Sequence, residues 1–183
     1  ERMRDQMDEP YRTILGHFRH ESGHYYWDRL VRDTAWLVDV RNMFGDDTQD
    51  YGQALEAHYR NGPPPDWQQR FVSAYAASHA WEDWAENWAH YLHIVDTLET
   101  ANAFGVRIRP GTADDEGLAV RHAINAYDTD DFRVLIDHWL PLTYALNSLN
   151  RSMGHEDAYP FLLAPPVIDK LNLVHRIVRE ARL

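Results

Sequence analysis

Trp81, Trp84, Ala85, Trp88, Ala89, Leu92, Val95 and Leu98 recur at helical spacing across residues 79–102. They make a broad apolar stripe, so a helix here has to be covered by other elements before it is stable. Two acids, Glu82 and Glu86, break into that helix one turn apart and on one face. An acid pair on an otherwise apolar helix needs a chemical reason. Alternating apolar and polar residues are scarce, and residues 106–109 form the one short strand candidate. The chain therefore reads as mainly α, with little or no β-sheet.

The remaining elements follow from start and stop signals. Asp8-Glu9-Pro10 is a plausible helix opening, with Tyr11, Ile14, Leu15 and Phe18 following at helical spacing, so a helix is expected over about residues 10–31. Residues 34–43 read as a helix stopped by Gly45, and residues 51–59 as one stopped by Asn61-Gly62. Pro63-Pro64-Pro65 is a rigid break, and residues 67–75 are aromatic without a decisive period. Residues 105–117, with the acidic run Asp114-Asp115-Glu116, read as a solvated loop. Thr129-Asp130-Asp131 caps a helix over about residues 131–153, kinked at Pro141 and stopped by Gly154. A last amphipathic helix spans about residues 165–182.

With 183 residues and 44% hydrophobic side chains, one domain over residues 1–183 with a real core is expected. The seven tryptophans are expected to pack between helices. A net charge of −11 argues against nucleic acid or an anionic membrane as partner. No apolar run is long enough to cross a bilayer and no signal-peptide pattern opens the chain, so a cytoplasmic location is expected. The chain opens on Glu1 and not Met, which suggests an excised or processed piece. Cysteine is absent, which removes disulfides, thiolate metal sites and cysteine nucleophiles together. Any metal has to be held by His and carboxylate.

The metal chemistry is written in His20-Glu21-Ser22-Gly23-His24. On a helix the two imidazoles, four residues apart, project from one face and can reach one ion. Glu21, one step round, is placed to take a proton from a metal-activated water. A catalytic zinc usually takes three protein ligands and leaves one position open. Residues 25–30 contain no third histidine, so a carboxylate from elsewhere is needed. Glu82, near the start of its helix, is the best candidate. Glu86, one turn deeper, can accept the spare N–H of a ligand histidine. The plain alternative for Glu82 is an N-terminal helix carboxylate favoured by the helix dipole, a role Asp83 could take instead. His79, His90 and His93 lie on or beside the same helix, and His90 is one turn from Glu86.

These residues, with Tyr75 seven positions before Glu82, resemble the gluzincin metallopeptidases of the anthrax lethal factor type. The wording of the chain more closely resembles the bacterial putative zinc-binding metallopeptidase family. It does so through Gly16-His17-Phe18-Arg19-His20-Glu21, Gly23-His24-Tyr25-Tyr26-Trp27, Phe44-Gly45-Asp46, His58-Tyr59, Gly62-Pro63-Pro64, Trp81-Glu82-Asp83-Trp84-Ala85-Glu86 and the run from Leu146 to Gly154. The resemblance implies one zinc ion on His20, His24 and Glu82, Glu21 as general base, and a peptide or protein substrate. It also implies that Tyr75 donates its hydroxyl to the oxyanion, a role that a phenol near a metal suits. Family members often carry a zinc ribbon, which a chain without cysteine lacks. Related peptidases place a sheet before the motif helix, whereas about nineteen residues precede His20 here, so the cleft is expected to be incomplete if the chain opens inside the domain.

Two rivals stay open: a zinc-containing binding or structural module that cuts nothing, and a helical two-metal carboxylate protein using Glu82, Glu86 and several His. The second lacks the paired Glu-x-x-His motifs such proteins use.

Overall fold

The computed structural model of the chain describes residues 13–111, 119 and 124–181. The expected helix opening at Asp8-Glu9-Pro10, the acidic run Asp114-Asp115-Glu116 and Arg182 lie outside them. Six α-helices form among the described residues: α1 (Ile14–Leu30), α2 (Trp36–Phe44), α3 (Tyr51–Asn61), α4 (Ala80–Ala103), α5 (Phe132–Ser152) and α6 (Pro165–Ala181). The ambiguous stretch after the prolines resolves into two 3₁₀ turns, Trp67–Gln69 and Tyr75–Ser78. The strand candidate at residues 106–109 is corrected: only an isolated bridge forms, at Ile108. Four residues between Gly105 and Pro110 find no partner strand among the described residues, and a strand without a ladder gains nothing. The mainly α reading is otherwise what the chain adopts.

The chain falls into two compact units, one of residues Glu1–Leu92 with Phe161–Leu183 and one of His93–Pro160. In the first, every residue of α4 from 82 to 91 is buried, polar and apolar alike. Such a segment needs neighbours that satisfy its polar groups as well as cover its apolar ones. Helix α1 supplies one. Its N-cap is Thr13, whose hydroxyl accepts from Gly16 N at 3.0 Å. Its buried residues are His20, Gly23 and Trp27. At Gly23 the two backbones nearly touch: a Cβ added there would sit 2.9 Å from Ala85 Cα. Two indoles secure the crossing, Trp84 Nε1 donating to Gly23 O at 2.9 Å and Trp88 Nε1 to Ser22 Oγ at 3.1 Å. These tryptophans therefore do more than fill space. They use their one polar atom to fix the axial register of α1 on α4.

Helix α6 supplies another side. Lys170 is buried, with Nζ 2.5 Å from Asp83 Oδ2 and 2.8 Å from the carbonyl of Arg70. Its ammonium also lies 4.4 Å from the centroid of the Phe71 ring. Helices α1 and α2 both pack on α6.

The second unit holds the rest of α4, the 3₁₀ turn Ala126–Asp128 and α5. Asp131 caps α5 by accepting from Arg133 N at 2.9 Å. Pro141 sits inside α5 without ending it, and Gly154, at φ +81°, follows its last turn. Asn147 donates to Tyr159 O at 2.8 Å and accepts from Tyr159 N at 3.0 Å. One amide thus pairs with both backbone groups of a residue, which ties the segment after α5 back onto the helix. No described helix is long and apolar enough to cross a membrane.

Candidate metal centre

Helix α1 delivers His20 and His24 from one face, with ring centroids 4.9 Å apart and nearly perpendicular. The first turn of α4 brings up Glu82, which is fully buried. One ligating atom from each of the three lies within 4.8 Å of the others, and among the described residues no other group of three or more His, Asp or Glu does this. Glu82 Oε2 is 3.0 Å from His20 Nε2 and 3.6 Å from His24 Nε2. It makes no well-aligned hydrogen bond among the described residues, although it is buried. A buried carboxylate oxygen between two imidazole nitrogens is costly unless a cation joins them. Two histidine nitrogens and one carboxylate oxygen are the donor types that zinc takes.

The surrounding groups orient these donors. His20 Nδ1 donates to Glu86 Oε1 at 2.6 Å, and Ser73 Oγ donates to Glu86 Oε2 at 2.7 Å. Glu86 thereby fixes the tautomer of His20 and leaves Nε2 turned to Glu82. Trp81 covers His24, with ring centroids 4.0 Å apart. His24 Nδ1 is buried without a hydrogen-bond partner among the described residues.

The charges respond to one another. Burial alone would push the His20 imidazole down, but the carboxylates of Glu82 and Glu86, one at each ring nitrogen, raise it to about 9. Burial works against ionised Glu82 as well, yet His20, His24 and Tyr51 hold its carboxyl well below the usual range. Glu86 is likewise held below that range against its burial, chiefly by the hydrogen bond from His20. The cluster carries an excess of negative charge that a proton on His20 offsets when no metal is bound.

Tyr75 opens the 3₁₀ turn Tyr75–Ser78, and its ring centroid lies 6.0 Å from that of His20. Burial and then the nearby Glu82 carboxylate raise its pKa far above that of an ordinary phenol, so it stays a proton donor. Glu21 is on the open flank of α1, its side chain 56% exposed and its carboxylate 3.8 Å from His17 Nε2. Solvent reaches it.

Of the other histidines, His79 caps the start of α4: Nδ1 accepts from Trp81 N at 3.1 Å and Nε2 donates to Gln49 O at 3.2 Å. His90 is kept neutral by burial, its pKa pushed down to about 4 despite the Glu86 carboxylate nearby. Asp83 stands in the first turn of α4, where a carboxylate suits the helix dipole. It is buried against Lys170, because the start of α4 lies inside the unit and not at its edge.

Sequence reasoning missed two contributors. Tyr51 donates its hydroxyl to Glu82 Oε1 at 2.7 Å, and Ser73 holds Glu86. Neither stands at a telling spacing from its partner, since 31 and 13 residues separate them. Tyr51 lies directly after the helix cap Asp50, which is a sign of a helix start and not of a site.

The model of the family described as "Putative zinc-binding metallo-peptidase" matches residues 1–177. The chain belongs to that family, which points to zinc and to hydrolase chemistry. Proteins of Mycobacterium bovis and of two strains of Mycobacterium tuberculosis, each named only as an uncharacterized protein, are 50% identical to it over 181 residues. The match takes in 98% of this chain and 50% of each of theirs, so the chain spans about half the length of these relatives. No solved structure matches it.

Proposed function

We propose that this chain is a zinc-dependent peptidase domain of the H-E-x-x-H gluzincin type, with one zinc ion on His20, His24 and Glu82. The observation that carries this reading is the buried Glu82 Oε2, which makes no well-aligned hydrogen bond among the described residues and faces Nε2 of both histidines, with Glu86 holding the far side of His20. A bound zinc would supply Lewis acidity, polarising a carbonyl and bringing the pKa of water down towards about 7. Glu21 takes the proton of the attacking water and passes it to the leaving amine. Tyr75 donates its hydroxyl to the oxyanion that develops on the peptide carbonyl. Glu86 and Ser73 keep His20 in the tautomer and orientation the site needs. The substrate is a peptide or protein, and a net charge of −11 favours neutral or cationic ones.

The test is a metal analysis and a peptide-library digest of the zinc-loaded protein. One ion per chain and cleavage are expected. Glu21→Gln is expected to lower cleavage at least about a hundredfold while zinc is retained. Zinc without cleavage by the unaltered protein would favour the binding module, and two ions per chain would favour the two-metal carboxylate protein.

Zinc affinity is expected to depend on pH in a set direction. His20 without metal binds its proton up to about 9, against an ordinary value of 6.5. Zinc has to displace that proton, so affinity rises roughly tenfold per pH unit through this interval and levels off above it. Proton release on zinc addition near pH 7.5, close to one per ion, checks the sign; affinity unchanged from pH 6.5 to 8.5 would contradict it.

A further inference from the structure

Tyr51 approaches the metal centre from outside the helices that make it. It is the first residue of α3, and Asp50 Oδ1 fixes that helix start by accepting from Gln53 N at 2.8 Å. No residue of α3 is buried, so the contact of Tyr51 with Glu82 is not a by-product of core packing. The ring of Tyr51 is held edge-on to His79, at 5.4 Å between centroids, and to Trp81, at 5.7 Å. Through Gln49, His79 also ties the chain just ahead of α3 to the start of α4. The hydroxyl of Tyr51 is thus placed against Glu82 by a capped helix and two rings.

We infer that Tyr51 is a positioning residue of the metal centre, its hydroxyl occupying Oε1 of Glu82 so that Oε2 alone is presented to the ion. The inference rests on the zinc reading above. A carboxylate offers two oxygens of equal donor power, and a free one can swing between one-point and two-point ligation. A hydrogen bond to Oε1 takes up charge density there and makes Oε2 the better ligand. Oε2 is also the oxygen that faces Nε2 of both histidines.

Cobalt(II) titration of the whole chain, read by visible absorption, tests this without relying on catalysis. Tyr51→Phe keeps the ring and removes one oxygen. It is expected to bind cobalt about tenfold or more weakly, with altered d–d bands, while far-UV circular dichroism stays unchanged. Unchanged affinity and bands in Tyr51→Phe, with one cobalt bound by the unaltered protein, would overturn the positioning role alone. Failure of the unaltered protein to bind one cobalt per chain would overturn the metal reading and this inference with it.

Discussion

Lys170→Met is expected to cost about 3–5 kcal/mol of folding stability, on the order of 10 °C in Tm for a chain of this size. Lys170 Nζ is the cation beside Asp83, and both side chains are buried. Methionine fills the space of the lysine stem but strands the carboxylate. Asn87 Nδ2 still donates to Asp83 Oδ1 at 2.8 Å, which is too little to stabilise a full charge in the interior. The carbonyl of Arg70 loses its donor as well. Removing one partner of a buried pair is far more damaging than removing both. Asp83→Asn in the Lys170→Met background is therefore expected to recover a large part of the loss. A Tm within about 2 °C of the unaltered protein for Lys170→Met alone would show that the pair is not a structural tie.

The pH dependence of that loss has a definite sign. Burial pushes the Asp83 carboxyl up to about 7 from 3.8, even with Lys170 beside it. A folded-state pKa above the unfolded value means that the folded protein holds a proton the unfolded chain has given up. The associated stability is present below about 4 and is lost as pH rises through about 7. Without Lys170 the carboxyl moves higher still, so the deficit of Lys170→Met is expected to be larger at pH 8 than at pH 5. Urea unfolding at the two pH values checks this.

Gly23→Ala carries the second large effect, and it reaches the site through the backbone. The added methyl would lie 2.9 Å from Ala85 Cα, 3.1 Å from Trp88 Cβ and 3.3 Å from Ala85 Cβ. None of these is the end of a flexible side chain, so the helices themselves have to move apart. Overpacking of this kind costs about 1–3 kcal/mol. The shift also stretches both indole hydrogen bonds across the crossing. His20 is one turn before Gly23 on the same buried face, and Glu82 is one turn before Ala85. A site whose donors now lie within 4.8 Å widens when its two helices separate. Weaker zinc binding, by about tenfold or more, is expected together with a lower Tm. Ser22→Ala removes only the acceptor of Trp88 and serves as a milder companion. If Gly23→Ala matches the unaltered protein in both Tm and zinc affinity, the crossing is looser than these distances imply.

Local order explains why much of this molecule could be read in advance. Helix starts and stops depend on a few adjacent residues, so α2, α3, α5 and α6 fell close to the spans expected from Gly45, Asn61-Gly62, Asp131 and Pro165-Pro166. The spacing of four in His20 and His24, and again in Glu82 and Glu86, names a shared face before any tertiary contact is known. That is why Glu86 could be matched to a histidine N–H from the sequence alone. Residues 67–75 and 106–109 were not legible, because a 3₁₀ turn and a strand without a neighbour have no period long enough to declare themselves.

What the amino-acid order by itself determined is the helical inventory and the facing of the donors on each helix, since both follow from 3.6 residues per turn. Only the tertiary structure decided that Gly23 lets α1 reach Ala85, that Lys170 answers Asp83 across 87 positions, and that Tyr51 takes up the far oxygen of Glu82. Those pairings join segments with no periodic relation, and they form because buried polar groups on α4 need partners wherever the fold can bring them.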